Sequence, residues 1–261
     1  MIISVFNNKG GVAKTTTTSN LGAYLARHGK KVLLVDMDAQ ANLTSSVGLE
    51  DEELENTIHN LLKDQEFKKE SILEVMQETQ FERLYILPAD ITLSDAEIEL
   101  SSYYSRESIL KRILDTVKDM FDFILIDCPP NLGLMSINSL VASKYLIIPM
   151  APGFFSTKGI KHLVNTYKMI KKNLNHELDI LGILLTRYDA RNNISKDIRN
   201  NLIEAFGDKV FESVIREDIK IGYSQEDQKP IIYYYEKCRS CEDYTNFGKE
   251  VLKWSRKAKG V

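Results

Sequence analysis

Cysteine and proline are scarce in this chain: three and six respectively in 261 residues. Six prolines and no low-complexity segment or internal repeat leave no linker-like stretch that would split it, so one large α/β domain over 1–261 is expected. Long hydrophobic runs are missing too. The longest, such as 145–149, reach about five residues, against the roughly 20 a membrane-spanning helix needs. Met1 is followed at once by a strand-like run, with no basic region and no signal-peptide core, and the expectation is a cytoplasmic protein. Three cysteines suit a reducing compartment. Cys128 ends an apolar run, and Cys238 and Cys241 form a single C-x-x-C. One such pair cannot complete a four-ligand metal site unless a second copy supplies the rest, and ordinary reduced thiols are the simpler reading.

Net charge is small, -3, but uneven. Residues 51–123 hold 8 Lys and Arg against 18 Asp and Glu, a net of -10, while 124–261 hold 21 against 16, a net of +5. A mildly basic C-terminal half is compatible with nucleic-acid contact, although such a balance over that length is also ordinary solvated surface.

What the chain does contain is Lys9-Gly10-Gly11-Val12-Ala13-Lys14-Thr15-Thr16, which joins an apolar run (Ile2, Ile3, Val5, Phe6) to a helical pattern. Two glycines let backbone N–H groups turn toward an anion, and the following helix offers its positive end. Lys14 can reach phosphates, and the Thr15 hydroxyl can ligate magnesium. The strict G-x-x-x-x-G-K-[ST] pattern fails, because Asn8 and Ala13 hold its two glycine positions.

The first helix is expected over 14 to about 28, ended by Gly29. Continuous apolar runs at 2–6, 32–35, 84–87, 123–126, 145–148 and 180–185 alternate with helical patterns, which predicts a doubly wound, mostly parallel sheet with helices on both faces. The acidic stretch 51–83, with Ile58, Leu61, Leu62, Ile72, Leu73 and Met76 at helical spacing, reads as a surface excursion. Ser94-Asp95-Ala96-Glu97 reads as a capping box, and 107–120 as a core helix through Ile109, Leu110, Ile113, Leu114 and Val117. A last helix from 244 to about 259 sets Tyr244, Phe247, Val251, Trp254 and Ala258 opposite Lys249, Lys253, Arg256 and Lys257. That stripe suits packing, or a membrane surface; Gly248 and Glu250 interrupt it and favour packing.

Two further segments follow strands: Asp36-Met37-Asp38-Ala39-Gln40-Ala41-Asn42 and Ile124-Leu125-Ile126-Asp127-Cys128-Pro129-Pro130. With the K-G-G-x-[GA]-K-T-T form of the loop, they resemble the ParA/MinD group of P-loop ATPases with a deviant Walker A motif, most closely ParA-type partition proteins. The resemblance spans nearly the whole chain, through Asn131-Leu132-Gly133-Leu134, Leu184-Leu185-Thr186-Arg187-Tyr188-Asp189-Ala190-Arg191 and Lys229-Pro230-Ile231. It implies ATP and Mg²⁺ as ligands, with Lys9, Gly10, Gly11, Val12, Ala13, Lys14, Thr15 and Thr16 binding nucleotide. Lys14 contacts the β and γ phosphates, and Thr15 ligates the metal. Asp36 and Asp127 act mainly through metal-bound water, and Asp38 positions or activates the attacking water, with Gln40 and Asn42 in the same switch loop. Lys9 reaches across a two-fold interface like an arginine finger, so that a homodimer forms on ATP.

The resemblance further implies non-specific DNA binding, association with the nucleoid, a ParB-like centromere-binding partner that stimulates a weak ATPase, and no membrane. It begins at the phosphate-loop strand, without the N-terminal helix-turn-helix extension of longer relatives and hence without site-specific operator binding. Departures cluster at 215–228, where the family usually shows I-P-R-x-x-R-x-x-E-A-P-S and holds adenine and DNA. Here Glu217 and Lys220 stand in the two arginine positions. Arg191 and Lys220 match the family's DNA-binding positions, with Arg187 and Arg216 close by and Lys196 and Arg199 as outer candidates. Two alternatives stay open: a MinD-like membrane-cycling positioning ATPase, and an iron-sulfur carrier using the C-x-x-C across a two-fold axis. Cluster-carrying members of the class place that pair differently.

Overall fold

The apolar runs assemble into one eight-stranded sheet in the computed structural model, which describes residues 1–50, 54–64, 66–152 and 157–258. The strands are β1 (Ile2–Val5), β2 (Val32–Asp36), β3 (Gln77–Glu78), β4 (Leu84–Leu87), β5 (Phe123–Asp127), β6 (Tyr145–Met150), β7 (Asp179–Tyr188) and β8 (Val210–Arg216). Their spatial order is β3-β4-β2-β5-β1-β6-β7-β8. Among the described residues every pairing is parallel except β3 with β4. The helices are α1 (Lys14–Arg27), α2 (Asn42–Ser45), α3 (Ile58–Lys63), α4 (Lys69–Val75), α5 (Ala96–Glu99), α6 (Ile109–Val117), α7 (Leu134–Ala142), α8 (Thr157–Asn173), α9 (Asn193–Phe206), α10 (Lys220–Glu226), α11 (Ile231–Tyr234) and α12 (Arg239–Ala258).

Side chains alternate across a strand, and here both faces are covered. Leu33, Val35, Ile124 and Ile126 enter one core with α3, α4 and α6. Val32, Leu34, Phe123 and Leu125 enter the other with α1 and α12. Burial on both faces is why these strands read as unbroken apolar runs.

The structure corrects the reading of 51–83 as a surface excursion. Ile58, Leu61, Leu62, Ile72 and Val75 of α3 and α4 are buried in the first core, and only Leu73 of the apolar set is exposed. Acidic side chains on the outer faces of these helices hid an inward stripe. Nor does a capping box start at Ser94: the turn begins earlier, where Asp90 accepts from Thr92 N at 3.2 Å and opens a 3-10 turn over Ile91–Asp95. Two strands, β3 and β8, lay outside the expected set.

The last helix starts five residues earlier than expected, at Arg239, and position 259 lies outside the described residues. Tyr244, Phe247 and Val251 are fully buried, and Trp254 meets Tyr145 edge-on at 4.5 Å. The Glu250 carboxylate accepts from Glu212 N (2.8 Å) and Ser213 N (3.0 Å), capping part of the free edge of β8. The apolar stripe of α12 is thus occupied by the protein itself.

The register delivers the site. Asp36 at the end of β2 lies opposite Asp127 at the end of β5, and Asp127 in turn lies opposite Val5 at the end of β1. Three strand ends therefore converge where β1 feeds the loop 6–13, at the carboxyl edge where open parallel sheets bind ligands.

Candidate functional site

Between β1 and α1 the loop is held from both sides. Asn7 is buried; its Nδ2 donates to Pro149 O (2.8 Å) and its Oδ1 accepts from Lys9 N (3.1 Å). Thr186 Oγ1, at the end of β7, donates to Val12 O (3.1 Å). Ala13 closes the loop in the left-handed region, φ 63°, a conformation that costs a residue with a Cβ roughly 1–2 kcal/mol. Ala41 at the start of α2 and Arg187 at the end of β7 share it. Phe67, Arg83, Ser105 and Gln228 adopt it too, so the conformation by itself does not single out the site.

The amides of Lys14, Thr15 and Thr16, the first turn of α1, make no hydrogen bond among the described residues. A helix start leaves these donors free for an anion. A Cβ built on Gly10 or Gly11 would meet nothing within 4 Å, so the loop is open in front. Lys14 is buried, with Nζ donating to Lys9 O at 3.2 Å, whereas Lys9 itself is exposed and pairs with no carboxylate among the described residues. The cavity before the loop, about 480 Å³, is also lined by Asp38, Gln40, Asn42 and Pro130. Of the eight loop residues expected to bind nucleotide, Gly10, Gly11, Ala13, Lys14, Thr15 and Thr16 line this cavity, whereas Lys9 and the buried Val12 do not.

Asp127 accepts from Thr15 Oγ1 at 2.5 Å and from Thr18 Oγ1 at 3.3 Å. Asp36 accepts from Asp38 N (3.1 Å) and, on its other oxygen, from Thr44 N and Thr44 Oγ1 (both 2.9 Å). Both carboxylates are fully buried. Burial pushes Asp36 above the usual carboxylate range; Asp127 rises further, through burial and then repulsion from Asp36, against the hydrogen bond from Thr15. Two carboxyl groups and a hydroxyl in one small volume form an all-oxygen donor set of the kind Mg²⁺ takes through direct and water-mediated contacts once the carboxyls ionise, so the residues present fit that ion. Asp36, with both oxygens bonded, ties the end of β2 to Asp38 and to Thr44 in α2. Asp38 is half-exposed and accepts only from Gln40 N (3.1 Å) among the described residues, leaving Oδ2 free toward the cavity.

A second cavity, about 400 Å³, adjoins the first and shares Gly11, Ala13, Thr16 and Gln225 with it; Thr186, Ile215, Ile221 and Tyr244 line its far side. Together the two offer room for a nucleotide, phosphates at the helix start and base beyond. Thr18, Thr44 and Gln225 were missed by sequence reasoning. Thr18 lies one turn from Thr15 on α1, a spacing that could have exposed it; Thr44 and Gln225 carry no local signal.

The structure places the four DNA-binding candidates apart from one another in circumstance. Arg191 is almost fully exposed but forks onto Asp189 (3.0 and 2.9 Å). Arg187 pairs with Glu217 at 2.8 Å, so the residue in the family's arginine position neutralises a neighbour. Lys220 Nζ lies 3.7 Å from the centre of the Tyr235 ring. Arg216 is committed to Asp243 and Glu242 at the start of α12. Of the outer candidates, Lys196 is exposed on α9 and Arg199 is turned inward, donating to Glu212 O at 3.4 Å. By contrast Lys249, Lys253, Arg256 and Lys257, on the outer face of α12, have no carboxylate partner among the described residues. Cys238 and Cys241 are buried thiols, Cys241 N donating to Cys238 Sγ at 3.3 Å, and the described residues hold no group of three or more His, Cys, Asp or Glu placed to hold a metal ion.

Comparison with known proteins fits this geometry. A family model described as an AAA domain matches residues 1–180. The sporulation initiation inhibitor protein Soj of Bacillus subtilis is 42% identical over 250 residues, covering 96% of this chain and 97% of Soj. The chromosome-partitioning ATPase Soj of Treponema pallidum is 40% identical over 94% of both chains. Among solved structures, cobyrinic acid a,c-diamide synthase from Mycobacterium smegmatis with a bound ATP analogue and magnesium superposes with a TM-score of 0.80 at 31% identity, covering 100% of this chain and 96% of that one. The open phosphate loop, the paired carboxylates and near-full-length relatives at about 40% identity agree: the chain belongs to the ParA/MinD group of P-loop ATPases, which use ATP and Mg²⁺.

Proposed function

We propose that this chain is a DNA-partitioning ATPase of the Soj/ParA kind, which dimerises on ATP, holds DNA without sequence preference, and releases it when a ParB-like partner stimulates hydrolysis. The observation that carries the reading is the contrast between two lysines of one loop. Lys14 is folded into its own loop, where it meets the phosphates of the nucleotide bound there; Lys9 is exposed and pairs with no carboxylate among the described residues, a cation presented outward. A second copy related by a two-fold axis would receive Lys9 at its own nucleotide, completing a site that one copy leaves open.

Within one copy the residues divide the work. The α1 amides and Lys14 bind and orient the phosphates, Thr15 and Asp127 hold the cation, and Asp38, with a free carboxylate oxygen facing the cavity, holds and activates the attacking water. Magnesium, when bound, neutralises phosphate charge as the leaving group departs. Asp36 ties this centre to Thr44 and so to α2, the segment that would respond to the γ-phosphate.

DNA contact rests on the C-terminal half. Arg191 is the candidate most free to reach a phosphate, since its partner Asp189 is itself partly exposed. Arg187 and Lys220 contribute less, and Arg216 acts as an anchor. A dimer doubles any such patch, so avidity could switch DNA binding with ATP alone and without base reading. No helix of the described residues is long and apolar enough to cross a membrane, and the packed stripe of α12 favours the DNA reading over a membrane-cycling one. Light scattering tests the dimer: mass should double on adding ATP to wild type, and Lys9→Ala should bind nucleotide yet stay monomeric or turn over poorly. An unchanged mass with ATP, or a Lys9→Ala variant like wild type, would refute it.

A further inference from the structure

We propose that Gln225 is the ribose-binding residue of the nucleotide site, its carboxamide reading the sugar hydroxyls where the two cavities meet. The inference rests on the ATP-binding reading above and specifies one part of it. Phosphates belong at the start of α1, in the cavity lined by Gly10, Lys14 and Thr15. The base belongs among Thr186, Ile215, Ile221 and Tyr244 in the second cavity. The portion of a nucleotide that spans from one to the other is the ribose, and the residues common to both walls are Gly11, Ala13, Thr16 and Gln225.

Of those four, Gln225 alone carries a side chain with both a strong donor and a strong acceptor that is exposed to an incoming ligand. Its Nε2 donates to Thr16 Oγ1 at 3.3 Å, a long bond that a ligand can displace, and its Oε1 has no partner among the described residues. A ribose hydroxyl both donates and accepts, so one carboxamide can bond the 2′- and 3′-hydroxyls together. The charged side chains that line the second cavity are engaged: Arg187 with Glu217, Arg216 with Asp243 and Glu242, and Asp218 with Lys220 N, Ser240 N and Ser240 Oγ. The last set also fixes α10 to the start of α12, giving Gln225 a firm support.

The residue departs from the family pattern given above. In the family pattern E-A-P-S the third position is proline; here Tyr223-Ser224-Gln225-Glu226 places a carboxamide there. Proline has no side-chain donor or acceptor, so the sugar contact would be absent from relatives that keep it.

The test is calorimetric titration of ADP, 2′-deoxyADP and 3′-deoxyADP into wild type, Gln225→Ala and Gln225→Pro, ADP being used so that dimerisation does not enter. Wild type should prefer ADP over at least one deoxy analogue by about 3- to 10-fold, the range of one or two net hydrogen bonds in a solvent-exposed site. Both variants should lose that preference, to within about twofold, by weakening ADP while leaving the deoxy analogues unchanged, which also shows that they are folded. Equal affinities in wild type, or a preference that survives in Gln225→Ala, would overturn the assignment. Failure of wild type to bind any of the three would instead overturn the nucleotide reading itself, and the assignment with it.

Discussion

Gly248→Ala is a small change that tests how the C-terminal helix is used. A Cβ at Gly248 would lie 2.1 Å from Tyr24 Cδ1, 2.4 Å from Cγ and 2.7 Å from Cε1, whereas carbon atoms in contact settle at about 3.5–4.0 Å. The ring must retreat by roughly 1.5 Å to restore that spacing. It has little room: Tyr24 is 2% exposed on α1 and stacks on His28 at 4.0 Å. Overpacking of this kind costs about 1–3 kcal/mol, and the severity of the contact argues for the upper end; the better helix propensity of alanine returns at most about 1 kcal/mol. A net loss of about 1–2 kcal/mol should lower the midpoint of thermal unfolding by about 2–8 °C for a chain of this length. In a Tyr24→Ala background the same substitution should cost nothing or stabilise, since the ring that blocks it is gone. The cycle should therefore show a coupling above about 1 kcal/mol. Denaturant and thermal unfolding of the four proteins provide the measurement. If Gly248→Ala stabilises the otherwise wild-type chain, α12 does not pack on α1 as described, and its apolar stripe is free for another surface.

Asp38→Ala should slow ATP turnover about a hundredfold or more while leaving nucleotide bound, so that the ATP dimer persists in light scattering; normal turnover would remove Asp38 from catalysis. Without a cation Asp127 is pushed up to about 8, first by burial and then by Asp36, so near pH 7 it keeps its proton, while cation binding demands the carboxylate. Binding of Mg-ADP should therefore release roughly one proton, seen as a buffer-dependent heat, and should strengthen from about pH 6 to about 8 and level off above. Asp127→Asn should abolish the release, and a buffer-independent heat in wild type would place Asp127 outside the cation site. Arg216→Ala should destabilise the fold at the start of α12, because the buried Asp243 carboxylate loses the guanidinium and keeps only Arg216 N among the described residues, and a variant with unchanged unfolding midpoint would show that Arg216 is free for a ligand.

The phosphate loop was legible because its signal is local: glycines, lysine and hydroxyls at fixed spacing between an apolar strand and a helix. The six predicted strands were legible because both of their faces are buried. β8 was not, since at the sheet edge Glu212 and Ser213 break its apolar run and bond outward to Glu250. The helices α3 and α4 were recognised but assigned to the surface, because charge counts register outer faces and not the inward Ile58, Leu62 and Ile72. Least legible were the partners of the basic residues. Arg187 finds Glu217 thirty residues on and Arg216 finds Asp243 twenty-seven residues on; only the fold brings such groups together, and it changes which cations are available. Gln225 escaped for the same reason: its importance lies in standing between two cavities.

The measurement closest to the central claim is fluorescence anisotropy of a random-sequence duplex titrated with this protein in Mg-ATP and in Mg-ADP, at several salt concentrations. The account predicts binding with ATP and little with ADP, equal competition by unrelated duplexes, and log K falling with log salt by about 0.9 for each phosphate neutralised. It further predicts a smaller slope for Arg191→Ala with Lys220→Ala. Equal binding in the two nucleotide states, or an undiminished double variant that keeps the wild-type salt slope, would contradict it.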